Sequence, residues 1–143
     1  MSASNKTLPI AVIGAGLAGL SCAQALLQAG HAVHVFDKSR GPSGRMSTRR
    51  AEDEAGPWQC DHGAQYFTAR DPQFRAEVAR WQQAGVAALW GARLASFDGT
   101  AWTTPATALE RFVGTPRMTS PAGWLVQGLQ QAGDRALAQW QTT

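Results

Sequence analysis

Three glycines, Gly14, Gly16 and Gly19, constrain this chain more than any other feature, because they sit where a short apolar run stops and a helical pattern begins. Pro9 to Ile13 is apolar throughout and ends abruptly at Gly14, which predicts a short buried strand. Leu17 to Ala29 carries Leu20, Ala23, Leu26 and Leu27 at helical spacing, with Gly30 as its stop. Ala32 to Phe36 alternates His with Val and predicts a second strand ending at Asp37. A strand, a helix and a strand joined this closely pair in parallel through a right-handed crossover.

The chemistry of Gly14-Ala15-Gly16-Leu17-Ala18-Gly19 follows from that placement. The first glycine permits a tight turn, the second lets backbone approach a pyrophosphate, and the third lets helix and strand pack closely. The helix N-terminus then offers unpaired N–H groups and the positive end of its dipole to phosphate oxygens. Asp37 stands 23 residues after Gly14, near the ~20-residue spacing of a ribose-binding carboxylate. A carboxylate there would repel a 2′-phosphate, so NADP is disfavoured while FAD and NAD both remain open on these features alone.

Composition sets the surroundings of this unit. With 44% hydrophobic and 16% charged residues among 143, the chain is an ordinary globular composition. Its formal charge of +3 comes from eleven Arg and two Lys, densest at Arg40, Arg45, Arg49 and Arg50. Interleaved aromatics and nucleic-acid motifs are missing around that patch, so diphosphate explains it better than nucleic acid. Cys22 and Cys60 form neither a CxxC nor a disulfide framework, which fits a reducing, cytoplasmic setting. Lys6 followed by apolar Leu8 to Leu20 superficially resembles a secretory leader, but the spaced glycines and the following helix and strand argue otherwise. No run reaches the ~18 apolar residues of a membrane span. His31, His34 and His62 lack metal-ligand spacing, so no metal is expected.

Further along, Lys38 to Gly63 lacks a sustained period and predicts a long functional loop. Asp71-Pro72 opens a helix whose Phe74, Val78 and Trp81 form one stripe ended by Gly85. Val86 to Phe97 and Thr100 to Thr103 flank Asp98-Gly99 and predict a hairpin. Ser120-Pro121 opens a last helix carrying Leu125 and Leu129, with the Gln- and Ala-rich stretch Trp124 to Trp140 read as helical.

From Asp37 onward the sequence resembles a known family. Asp37-Lys38-Ser39-Arg40-Gly41-Pro42-Ser43-Gly44-Arg45-Met46-Ser47-Thr48 is similar to the flavoprotein superfamily of amine oxidases and protoporphyrinogen oxidases, where an acid precedes a glycine-rich stretch ending in Gly-Arg. Joined to Asp61-His62-Gly63-Ala64-Gln65-Tyr66-Phe67-Thr68-Ala69-Arg70, it resembles the bacterial renalase-like oxidoreductases more closely. The resemblance runs in order over residues 9–118, including Arg111 to Met118, and then fades. The fold expected is α/β: a Rossmann-like FAD-binding βαβ unit over residues 1–85, the start of a sheet-containing substrate region over 86–118 and, where the resemblance has faded, a divergent or truncated C-terminal helix over 119–143.

The resemblance implies FAD held by Gly14 to Gly19, Asp37, Lys38, Gly44, Arg45 and Met46, with Arg45 on the diphosphate and Gly63, Ala64 and Gln65 beside the flavin. It places Tyr66, Phe67, Thr68, Ala69 and Arg70 toward the substrate; the alternative is a buried strand whose aromatics pack in the core. Ser43 departs from the family's glycine pair, at a place where serine tolerates positive φ poorly. No catalytic side chain is nominated, since the flavin carries the redox chemistry and the protein orients it. The implied reaction oxidises dihydronicotinamide isomers, with oxygen as acceptor and hydrogen peroxide as product. The alternatives are a flavin amine oxidase and a binding module without turnover. At 143 residues the chain is expected to be incomplete for such an enzyme and open to self-association.

Overall fold

The computed structural model describes residues 8–104 and 109–141. Lys6, in the leader-like reading, and parts of the 86–118 and 119–143 regions lie outside those residues. The expected opening unit is present: strand β1 (Ile10–Ile13), helix α1 (Leu17–Gln28) and strand β2 (Val33–Asp37), with β1 and β2 parallel and Val12 opposite Val35. Leu20 and Ala23 bury one face of α1 against Val12, Val33 and Val35.

The stretch expected as a long loop contains structure instead. Strands β3 (Thr48–Asp53) and β4 (Gly56–Asp61) form an antiparallel hairpin, with Asp53 opposite Gly56 and the Asp53 carboxylate accepting from the Ala55 amide across the turn. Its sequence has charged residues and Pro57 where a strand ordinarily alternates apolar residues, so periodicity hides it. Helix α2 (Pro72–Gln83) follows as expected. The Asp71 carboxylate caps it by accepting from the Phe74 amide at 2.9 Å, and Val78 and Trp81 are buried.

The stretch from Val86 to Phe97 is not one strand. Strand β5 (Ala87–Leu89) ends early, strands β6 (Ser96–Phe97) and β7 (Trp102–Thr103) make a short hairpin around Asp98-Gly99, and β5 pairs instead with β8 (Phe112–Gly114). The hairpin was expected; the partner of β5 lies more than twenty residues away, beyond the reach of local pattern.

A larger correction concerns the last segment. Helix α3 (Ser120–Gln130) buries Leu125 and Leu129 as expected, but the helix does not run to Trp140. Gly133 turns the chain at φ 59°, and Ala136–Trp140 is strand β9, parallel to β2 with Val35 opposite Ala138. The sheet order is therefore β1-β2-β9. Ala136, Ala138 and Trp140 pack on the core while Leu137 points away. The opposite sheet face stays open, with Ile13 81% and Leu137 43% exposed. Among the described residues no helix is long and apolar enough to cross a membrane.

Candidate functional site

The site is assembled from the ends of β1 and β2 and from the loop after β2. Gly14 takes φ 98°, turning the chain out of β1 into α1. Gly19 packs so tightly beneath this turn that a Cβ would collide with the Gly14 carbonyl oxygen, so the third glycine serves the close packing expected of it. Gly16 is the N-cap of α1 and no side chain caps the helix, which leaves its first amides available to an anion.

Asp37 ends β2 directly beside this turn. One carboxylate oxygen accepts from the Ala15 amide at 2.6 Å and the other from the Ser39 amide at 2.7 Å. The Ala15 amide holds the Asp37 carboxyl below the ordinary carboxylate range against the opposing effect of burial, and Ser39 and Lys38 add to the lowering. Asp37 is therefore an anion at neutral pH. A carboxylate has about four acceptor sites, so ribose hydroxyls can be accepted alongside these amides.

The loop after β2 folds back on the first turn. Gly16 and Ser43 form an isolated parallel bridge, in which the Ser43 amide donates to the Ala15 carbonyl at 3.0 Å. Gly44 rests against Gly16, and Gly63 lies so close to the Arg45 carbonyl that no Cβ fits between them. The Ala64 amide donates to that same carbonyl at 2.9 Å, tying the Gly63-Ala64 segment to the Gly44-Arg45 loop.

The glycine turn, the end of β2 and the loop after it border an open cavity of about 1080 Å³. Its walls include Gly14, Gly16, Leu17, Ala18, Asp37, Lys38, Gly44, Arg45 and Met46 from the sequence reading. Ala15 and Gly19 stand behind the wall as structural members, and Gly63, Ala64 and Gln65 lie outside it, the first two joined to it through Arg45. Ile13, Ser21, Phe36, Ser39, Ser43 and Phe74 also line the cavity and were missed. Ser21 was legible, being one helical turn after Leu17. Phe74 was not, since α2 reaches the cavity only through tertiary packing.

The Tyr66 to Arg70 segment divides in two. Phe67 exchanges both backbone hydrogen bonds with Phe112 at 2.8 Å, and its ring packs against Phe74, Trp81 and Phe112. Ala69 is buried beside it. For these two the core-packing alternative describes their surroundings. Tyr66 is 39% exposed, stacks on Trp90 at 5.6 Å and carries the Arg111 guanidinium 5.2 Å from its ring center. Thr68 is half-buried and Arg70 exposed.

The fold and cavity define an α/β protein with a Rossmann-like dinucleotide cradle. Its glycine turn, uncapped helix end, terminal carboxylate and arginine loop make FAD a fitting cofactor. The family model described as an NAD(P)-binding Rossmann-like domain matches residues 12–81, just under half of the chain. The chain is 36% identical over 63 residues to an L-amino-acid oxidase of Bothrops pauloensis, covering 44% of this chain and 12% of that protein. It is 49% identical over 47 residues to a zeta-carotene-forming phytoene desaturase of Myxococcus xanthus, covering 33% of this chain and 9% of that protein. The chain thus spans only a small part of these relatives. A solved putrescine oxidase bound to putrescine aligns with 69% of this chain and 21% of its own, at 22% identity and a TM-score of 0.45.

Proposed function

We propose that the chain holds FAD across the Gly14 to Gly19 turn and serves a flavin-dependent oxidoreductase of the renalase-like kind. The observation that carries this reading is the convergence of the glycine turn, Asp37 and the Gly44-Arg45 loop on one cavity. FAD, when bound, supplies the two-electron acceptor that takes a hydride from the donor and passes the electrons to oxygen, giving hydrogen peroxide. The protein's own part is to bind and orient. Arg45 and the α1 amides hold the diphosphate, Asp37 holds ribose hydroxyls, and Lys38 and Met46 border them. Gly63, Ala64 and Gln65 would stand beside the flavin.

The donor proposed is a dihydronicotinamide isomer. Tyr66 and Arg70 are exposed and Thr68 half-buried while Phe67 and Ala69 anchor the segment from the core, so Tyr66, held between Trp90 and the Arg111 guanidinium, is the aromatic of this segment that a planar donor would meet. Two free, exposed cysteines accord with a reducing, cytoplasmic setting. A flavin amine oxidase is the second reading, favored by the likeness to the L-amino-acid oxidases.

Titration of the purified protein should show FAD binding more tightly than NADP, because Asp37 meets a 2′-phosphate with like charge; tighter NADP binding sinks the cofactor assignment. Anaerobic stopped-flow bleaching of bound flavin then separates the two donors. Reduction by dihydronicotinamide isomers supports the first reading, whereas reduction by a primary or secondary amine alone replaces it with the second.

A further inference from the structure

Among the described residues only Ser43 and Gln141 take positive φ without being glycine. Ser43 lies at φ 120°, where an L side chain is strained. The backbone is pinned there from both sides: its amide donates to Ala15, and its carbonyl accepts from the Met46 amide at 3.1 Å. The side chain is nevertheless retained and buried, only 4% exposed. Its hydroxyl makes no hydrogen bond among the described residues, where the buried side-chain atom left without a partner is Arg111 Nε, so the Ser43 oxygen is not sealed in the core but reaches open space. What remains open to it is cavity, since Ser43 lines the dinucleotide cradle between Asp37 and Gly44.

We propose that the Ser43 hydroxyl is a ligand of the bound dinucleotide, donating a hydrogen bond to an oxygen of its diphosphate. The bridge to Gly16 places Ser43 beside the second glycine of the turn, the position at which backbone approaches pyrophosphate. Strain held on a cavity wall, at a residue whose hydroxyl opens onto the cavity, marks a functional position, and a ligand that engages the hydroxyl accounts for why serine stands where glycine would be relaxed. This assignment rests on the FAD reading above. Ser43 also borders a neighboring cavity of about 300 Å³ with Arg40 and Arg50, so a separate anion there is the competing destination for the hydroxyl.

The test compares wild type, Ser43→Gly and Ser43→Ala by calorimetric titration with FAD, ADP and inorganic phosphate, and by melting of the ligand-free chain. Ser43→Gly relieves the strain and should melt about 3 °C or more higher without ligand. It should nonetheless bind FAD and ADP about 10- to 150-fold more weakly, the size of one hydrogen bond to a charged group. Ser43→Ala keeps the strain, so it should melt no higher than wild type and lose the same affinity. If either variant binds FAD as tightly as wild type, the assignment is overturned while the FAD reading stands. A loss confined to inorganic phosphate moves the hydroxyl to the neighboring cavity and overturns it too. Failure of wild type to bind FAD overturns the cofactor reading and this assignment together.

Discussion

The Asp37 carboxylate closes the glycine turn by accepting a 2.6 Å hydrogen bond from the Ala15 amide, 22 residues earlier in the chain. One side chain thereby joins the end of β2 to the turn that follows β1 and fixes the turn that faces the ligand. Because that bond favors the charged form, the folded-state value lies below the ordinary 3.8. The stability it contributes is fully present above the unfolded value and is lost as pH falls through the folded one. Asp37→Asn should cost about 1 kcal/mol at pH 7, a charge-assisted bond discounted for partial exposure. Denaturant melts at pH 7, 5 and 3 should show the two proteins converging only in the most acidic series; a constant difference would mean the charge is not the cause.

Arg45 is exposed, lines the cavity and has no ion pair among the described residues. Arg45→Ala should leave the melting temperature unchanged while weakening FAD about 10-fold or more, as loss of a charge-assisted bond to phosphate does. Arg45→Lys should recover only part of that affinity, since an ammonium cannot reproduce the planar fork. Unaltered FAD affinity in Arg45→Ala would make it an ordinary surface arginine.

Gly63→Ala drives a methyl group into the Arg45 carbonyl and strains the adjoining Ala64 bond, so it should destabilise the chain by roughly 2–3 kcal/mol. Gly41 faces open space, and Gly41→Ala should stay within about 0.5 kcal/mol of wild type. Urea denaturation of the pair checks this. Equal stabilities would show that Gly63 is not pressed against the Gly44-Arg45 loop.

Neighboring aromatics should behave oppositely. Phe67→Ala empties the center of the Phe74, Trp81 and Phe112 cluster and should cost about 3–5 kcal/mol, whereas Tyr66→Ala, losing an exposed stack, should cost about 1 kcal/mol. Circular-dichroism melts distinguish them. If Phe67→Ala is as mild as Tyr66→Ala, the core assignment of Phe67 fails and the substrate role expected of it gains ground.

The sequence by itself determined the β1-α1-β2 unit and placed its glycine turn beside Asp37, because each of these signals is local, whereas Lys38, Gly44, Arg45 and Met46 of the cavity wall entered through the family resemblance. Glycine spacing, a helical stripe and a terminal acid all fall between Pro9 and Asp37, and a short crossover leaves one way to pair them. The tertiary structure alone decided the rest. Gln and Ala favor helix, so Ala136–Trp140 reads as a continuation of α3 until β2 offers it a parallel edge and a core for Ala138 and Trp140. The β3-β4 hairpin draws on cross-strand pairing rather than an apolar pattern, and β5 finds its partner only after the chain returns at Phe112. The resemblance set all of Tyr66 to Arg70 toward the substrate, with a buried strand as the alternative; the pairing of Phe67 with Phe112 turns its ring inward and leaves Tyr66 to the surface, a division no local pattern carried.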